Sequence, residues 1–211
     1  MKDEDKTIMQ DRIFSEPDML RIIEDHCQDR LQVQAALALM QKAHAGQYRK
    51  GPGHVPYISH PLTMACQAIA LHLDSEDLLS VILLHDVVED TPFTAEDLPV
   101  GDAARKAISL LTKPEHYDNN SYYPAIAADP LAAITKLLDR CQNLSFMAAG
   151  FTPEKMMKYI KETEDYVYPL LEAVKQNYPE YKDAAFILEY QMRSITETVS
   201  RLLFYQPYFR T

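Results

Sequence analysis

Residues 76–90 read EDLLSVILLHDVVED, and the fold class turns on that stretch. Leu78, Leu79, Val81, Ile82, Leu83 and Leu84 follow Glu76 and Asp77, with only Ser80 polar among them. Apolar residues thus fall on every side of a helix with a period of about 3.6 residues, and such a helix belongs in the middle of other helices. Asp74 or Ser75 supplies its cap, and Asp77 favours its first turn. The back half, with His85, Asp86, Glu89 and Asp90, turns abruptly acidic. In one continuous helix, His85 lies a turn from Glu89 and Asp86 a turn from Asp90, which puts all four on one broad face. Carboxylates crowded beside so much apolar surface repel one another and are costly to ionise; a divalent cation removes that conflict. Taken alone, the segment also reads as a solvated acidic helix end.

The flanking chain is helical too. Residues 17–28 (PDMLRIIEDHCQ) space apolar side chains helically, and residues 30–45 (RLQVQAALALMQKAHA) form a stronger helix rich in Ala, Leu and Gln. The clearest break runs from Gln47 to Tyr57 around Gly51-Pro52-Gly53. His60-Pro61 then opens a helix to about Leu73. Beyond residue 90, Thr94-Ala95-Glu96-Asp97 begins a short helical piece, 102–112 is a helix, and 113–129 is loop with one short helix. Asp129-Pro130 and Thr152-Pro153 are cap-and-proline starts for helices over 130–147 and from 152 toward 177. Pro169 should kink or divide the second of these. Residues 180–204 form a last amphipathic helix. The expected fold class is all-α, a compact helical bundle, and the 5 glycines argue against a sheet-rich alternative with many tight turns.

The net charge of -10 does not attract duplex nucleic acid, so an anionic ligand would need local positive charge from a metal and a few Lys and Arg. Cys27, Cys66 and Cys141 are far apart and form no CxxC pair, which suits reduced, buried thiols in a cytoplasmic protein. Met1 to Lys6 has no apolar core for a signal peptide, and no apolar run approaches a membrane span. A homo-oligomer stays open, because Leu202-Leu203-Phe204-Tyr205 is either core or a partner surface.

Two further segments bear on the acidic turn. Tyr57-Ile58-Ser59-His60-Pro61 puts a histidine at a helix start, where it also reads as a cap or core residue. Ile134-Thr135-Lys136-Leu137-Leu138-Asp139-Arg140 puts an aspartate in a mostly apolar helix, where a surface salt bridge with Lys136 or Arg140 is the plainer reading. Asn143 is one turn from Asp139 and faces the same way. In order, AHAGQYRK (43–50), PYISHP (56–61), LLHDVVEDT (83–91) and the lysine-preceded LDR-x-x-N (138–143) resemble the hydrolase domain of the RelA/SpoT family, shared by small stand-alone alarmone hydrolases. The likeness spans roughly residues 30–170.

That resemblance implies an all-α bundle of the HD-domain type with one divalent ion, usually Mn²⁺. The implied ligands are His60, His85, Asp86 and Asp139, a mixed imidazole and carboxylate set that suits Mn²⁺ among other ions. Glu89 and Asp90 match the family's acidic pair, which orients and deprotonates the attacking water and manages the proton on the leaving oxygen. Arg49 and Lys50 match the basic pair lining its nucleotide pocket, and Asn143 a residue near the ribose. Lys136, Arg140 and Lys113 either add positive potential or are solvated helix charges. His44 reads as structural or as an outer partner of the site. His26, His54, His72 and His116 receive no role, and the tyrosines between 117 and 123 read as aromatic loop packing. The implied organisation is an N-terminal helical extension over 1–29, the hydrolase domain over 30–170, and a C-terminal helix over 171–211 packed on it. The implied reaction is hydrolysis of the 3′-diphosphate of ppGpp or pppGpp to GDP or GTP and pyrophosphate, without synthesis.

Gln142 departs from a histidine common at that position, which changes local contacts but not the metal ligands, and the GPGH loop (51–54) departs from a shorter one beside the nucleotide site, which leaves the identity of the base open. The same metal chemistry on ppApp or on the 2′-phosphate of NADPH, a non-catalytic nucleotide-binding module, and an interaction protein using residues 180–211 remain as alternatives.

Overall fold

Side-chain caps at Ser15, Ser75, Asp129 and Thr152 open four of the helices in the computed structural model, which describes residues 15–51 and 53–204. Residues 1–14 of the expected N-terminal extension, Pro52 of the loop, and 205–211, including Tyr205, lie outside the described residues. The all-α class expected from the sequence is observed. Among the described residues the one strand-like feature is an isolated antiparallel bridge between Tyr48 and Pro56. The chain divides after His116 into two units, each helical.

The first unit contains α1 (Glu16–His26), α2 (Leu31–Ala43), α3 (Ser59–Ala70), α4 (Glu76–Leu84), α5 (Val87–Asp90) and α6 (Asp102–Leu111). Every residue of α4 from Leu78 to Leu84 is buried, and α4 packs against α2, α3 and α6. That is the central position its all-round apolar sequence calls for. Ser75, not Asp74, is the cap; its Oγ accepts the Leu78 N–H at 3.3 Å. Gln32 ties α2 to this helix, donating to Asp77 at 2.9 Å and to Ser80 at 3.3 Å.

Contrary to the single helix expected over 76–90, α4 ends at Leu84 and α5 begins at Val87. The Nδ1 of His85 bonds the Ile82 carbonyl at 2.7 Å. In a continuous helix that oxygen would accept the Asp86 N–H, so a side chain competes for a backbone acceptor at the break. The Asp90 N–H still reaches the Asp86 carbonyl at 2.9 Å, so Asp86 and Asp90 share one turn.

The α3 helix also stops earlier than its apolar pattern suggests. His72 adopts φ +58°, the His72 N–H donates to Ile69 O at 3.0 Å, and the Leu73 N–H to Ala68 O at 2.9 Å. This is a Schellman ending built without glycine. Asp74 is thereby placed against α1, where it bonds His26 at 2.7 Å and Arg30 at 3.2 Å. His26 thus has a partner that the sequence did not reveal. The His26 contact holds the Asp74 carboxyl below its usual range, with burial opposing it and Arg30 assisting. A carboxyl lowered in the folded state adds stability above its unfolded value and loses it as pH falls through the folded value. Asp74→Asn is therefore expected to lower stability by about 1 kcal/mol at neutral pH, the scale of a half-exposed pair. The deficit should shrink as pH falls into the native carboxyl's lowered range, where that group too takes up a proton. Urea melts of both proteins at pH 7 and pH 3 check this, and an equal deficit at both would refute it.

The second unit contains α7 (Asn119–Ala127), α8 (Pro130–Gly150), α9 (Pro153–Glu162), α10 (Tyr168–Asn177) and α11 (Lys182–Phe204). The two expected caps are in place: Asp129 accepts the Ala132 N–H at 3.1 Å, and Thr152 the Lys155 N–H at 3.3 Å. A wide π turn over Thr163–Val167 divides α9 from α10. Pro169 explains it: the ring offers no N–H and crowds the carbonyl of Asp165, and the turn just before the proline absorbs the mismatch. The buried α8 packs against α7, α10 and α11. Tyr122 and Tyr123 are buried, as aromatic packing requires.

Candidate metal centre

The first-unit site starts from the loop after α2. His44 ends that helix, and its Nδ1 bonds Gln47 Oε1 at 2.8 Å. Gln47 in turn donates its amide N–H to the Asp90 carbonyl at 3.2 Å. The two arms of the loop are zipped by Arg49 N–H to Val55 O at 2.8 Å and Tyr57 N–H to Gln47 O at 2.9 Å. Gly51 and Gly53, at φ 129° and 100°, make the turn that a side chain would resist. The loop therefore delivers Tyr57 and the start of α3 to the turn between α4 and α5.

At that turn, His60, His85 and Asp86 come together, with ligand atoms all within 4.8 Å of one another. His60 and His85 are 1% and 4% exposed. Their Nε2 atoms are 3.2 Å apart, and Asp86 Oδ2 lies 3.1 Å from His85 Nε2 and 3.6 Å from His60 Nε2. Because His85 Nδ1 is the donor to Ile82 O, its Nε2 presents a lone pair toward the other two groups. Two imidazole nitrogens and a carboxylate oxygen converging in a buried spot are the donor set of a divalent metal, and the residues fit that group.

Asp90 is exposed, with its Oδ2 3.0 Å from the Tyr57 hydroxyl, and the same hydroxyl is 2.6 Å from Asp86 Oδ2. Burial and the carboxylates of Asp86 and Asp90 push the Tyr57 phenol far above its ordinary value, so it keeps its proton and donates. Glu89 is exposed and accepts the Lys113 backbone N–H at 3.2 Å, so the two acids of the pair have different neighbours. Arg49 lies 5.9 Å from the centre of the Tyr57 ring, and Lys50 is exposed.

Asp139, Lys136 and Asn143 lie on α8 in the second unit. Asp139 and Lys136 are buried, and Lys136 Nζ donates to Asp139 Oδ2 at 2.7 Å. Burial opposes the lysine's charge, but Asp139 together with Tyr122 and Tyr123 outweighs it and raises its proton affinity well above that of an ordinary lysine. The salt bridge is thus present but lies in the interior, not on the surface. Asn143 donates to the other oxygen of Asp139. Arg140 is not a solvated charge: it is buried on Glu162 and Tyr123. Two residues with evident work in the first-unit site went unassigned from sequence, Gln47 and Tyr57. Both sit inside quoted motifs, AHAGQ and PYISHP, and that was the only available signal.

No protein-family model matches the chain. A guanosine-3′,5′-bis(diphosphate) 3′-pyrophosphohydrolase of Aquifex aeolicus is 32% identical over 165 residues, covering 74% of this chain and 23% of that protein. The bifunctional (p)ppGpp synthase/hydrolase SpoT of Escherichia coli is 31% identical over 148 residues, covering 64% of this chain and 20% of that protein. This chain thus spans about a fifth of the length of the curated relatives it matches. Among solved structures, a metazoan ortholog of SpoT, described as hydrolysing ppGpp and acting in starvation responses, superposes with a TM-score of 0.64. It is 21% identical, and the match covers 80% of this chain and 95% of that one. The relatives, the shared helical architecture and the convergence of His60 with His85 and Asp86 give one answer: this chain has the metal-binding HD-hydrolase fold of the RelA/SpoT family.

Proposed function

We propose that this protein is a Mn²⁺-dependent hydrolase of the 3′-diphosphate of guanosine alarmones, converting ppGpp or pppGpp to GDP or GTP and pyrophosphate. The observation that carries the reading is the buried convergence of His60 Nε2, His85 Nε2 and Asp86 Oδ2. The named activities of the similar proteins supply the substrate class.

His60, His85 and Asp86 would hold the ion, and Asp139 is proposed as a further ligand on the strength of its motif. A bound divalent ion supplies an acidified water and positive charge for the phosphoryl oxygens. The remaining work falls to side chains. Asp90, one turn from Asp86, orients the attacking water and accepts its proton, and with Glu89 passes that proton to the 3′-oxygen as it leaves. Arg49 and Lys50 meet the nucleotide, the arginine stacking on the base and both countering its phosphates. Asn143 contacts the ribose, and Lys136 meets substrate only by loosening its pair with Asp139. Local cations of this kind are what an anionic substrate needs on a chain of net charge -10. No described helix is long and apolar enough to cross a membrane, which accords with a cytoplasmic enzyme acting on a free nucleotide.

The test is a panel of ppGpp, pppGpp, ppApp and NADPH with the Mn²⁺-loaded protein, following release of pyrophosphate and phosphate. Mn²⁺-dependent pyrophosphate release from ppGpp or pppGpp is expected. Turnover of ppApp or NADPH alone would overturn the guanosine assignment while leaving the metal chemistry standing.

A further inference from the structure

Three carboxylates lie within two turns of chain at Asp86, Glu89 and Asp90, and helix geometry alone does not aim them. The helix breaks at His85–Asp86, α5 is a single turn, and Asp90 is exposed at its end. Something else must hold the Asp86 carboxylate toward the two histidines and keep Asp90 beside it. One side chain touches both: the Tyr57 hydroxyl, at 2.6 Å from Asp86 and 3.0 Å from Asp90.

The phenol is well fixed for this task. Its ring packs tilted against His44 with centroids 4.7 Å apart, and edge-on to His60 at 6.0 Å. Its backbone N–H is bonded to Gln47 O, and the Gln47 amide reaches across to the Asp90 carbonyl. The loop therefore grips the acidic turn twice, through Gln47 on the backbone and through Tyr57 on the side chains. A rigid aromatic with a polar tip loses little freedom when it makes such a bond. A hydroxyl carries one proton, so it can donate fully to only one of the two carboxylates. The shorter contact gives that proton to Asp86.

We propose that Tyr57 is a positioning residue, whose hydroxyl orients the metal-binding carboxylate of Asp86 and sets its spacing from the proton-handling carboxylate of Asp90. The inference rests on the metal reading above and deepens it. It makes the loop ending in Tyr57 part of the metal centre's outer support as well as part of the nucleotide contact.

Tyr57→Phe tests this, since it keeps the ring between His44 and His60 and deletes only the hydroxyl. Two readouts separate positioning from a structural role: Mn²⁺ affinity of the metal-stripped protein by electron paramagnetic resonance, and kcat and KM for ppGpp at saturating Mn²⁺. Outer partners of metal ligands are typically worth about 10–100-fold in affinity or activity. A loss of about tenfold or more in Mn²⁺ affinity, a fall in kcat with KM little changed, and an unaltered melting temperature are expected. Unchanged affinity and kcat in a variant that folds normally would overturn the inference, and leave the metal reading intact if the wild type binds Mn²⁺. A wild type that binds no divalent ion would overturn both. Mn²⁺ affinity is measured without substrate, so a protein that binds Mn²⁺ but ignores ppGpp still decides the question for Tyr57.

Discussion

Asp86→Ala is expected to reduce Mn²⁺-dependent ppGpp hydrolysis by about a thousandfold or more, because it removes one corner of the buried cluster. A catalytic metal contributes several kcal/mol to the transition state, and about 4 kcal/mol corresponds to roughly a thousandfold in rate. The substitution takes away a ligand oxygen that also receives the Tyr57 hydroxyl. It leaves the apolar wall of α4 untouched. The folded protein should therefore persist with its catalytic function gone, and excess Mn²⁺ should restore little. Steady-state rates across a Mn²⁺ titration, alongside circular dichroism, check this. Activity within tenfold of wild type would place the chemistry elsewhere.

Arg140→Ala should have the largest effect on stability. Arg140 is 1% exposed in the middle of α8 and donates to Glu162 at 2.6 Å, to Tyr123 at 2.9 Å, and to Tyr159 O and Thr163 at 3.3 Å. Its guanidinium also lies 3.9 Å from the centre of the Tyr159 ring. These partners span α7, α9 and the π turn, so one side chain joins much of the second unit. Removing it takes the cation away from the Glu162 carboxylate, which keeps the Tyr123 hydroxyl at 2.9 Å, and leaves a void. Breaking one side of a buried pair costs about 3–5 kcal/mol. For a chain of this size that lowers the melting temperature by roughly 10 °C. Pairing the change with Glu162→Gln should recover part of the loss, since the carboxylate charge that has lost its cation goes with it. A loss under about 1 kcal/mol by urea denaturation would contradict the role assigned to this residue.

Local chemistry made much of this fold legible. The all-round apolar face of 78–84 declared a central helix, and Asp129-Pro130 and Thr152-Pro153 declared helix starts, because those signals act within one turn of chain. What stayed hidden depended on partners distant in sequence or on competition for a single backbone atom. The break at His85 arises from an imidazole taking the Ile82 carbonyl, which no periodicity announces. His72 ends α3 without the glycine that usually marks such an ending. Lys136 and Arg140 look like ordinary helix charges, yet both are buried because neighbouring helices close over α8.

The site divides in the same way. His60, His85 and Asp86 were readable as residue types in ordered motifs, and the structure brings them together. Tyr57 was not, since a tyrosine in a loop carries no chemistry until its hydroxyl is seen between two carboxylates.

The central claim is that His60, His85 and Asp86 form a divalent metal centre. A Mn²⁺ titration of the metal-stripped protein by electron paramagnetic resonance, with His85→Ala beside the wild type, tests it most directly. Uptake of one ion by the wild type, and affinity lower by about a hundredfold or more in the variant, is the expected result. Equal uptake by the two proteins, or none by either, would contradict it.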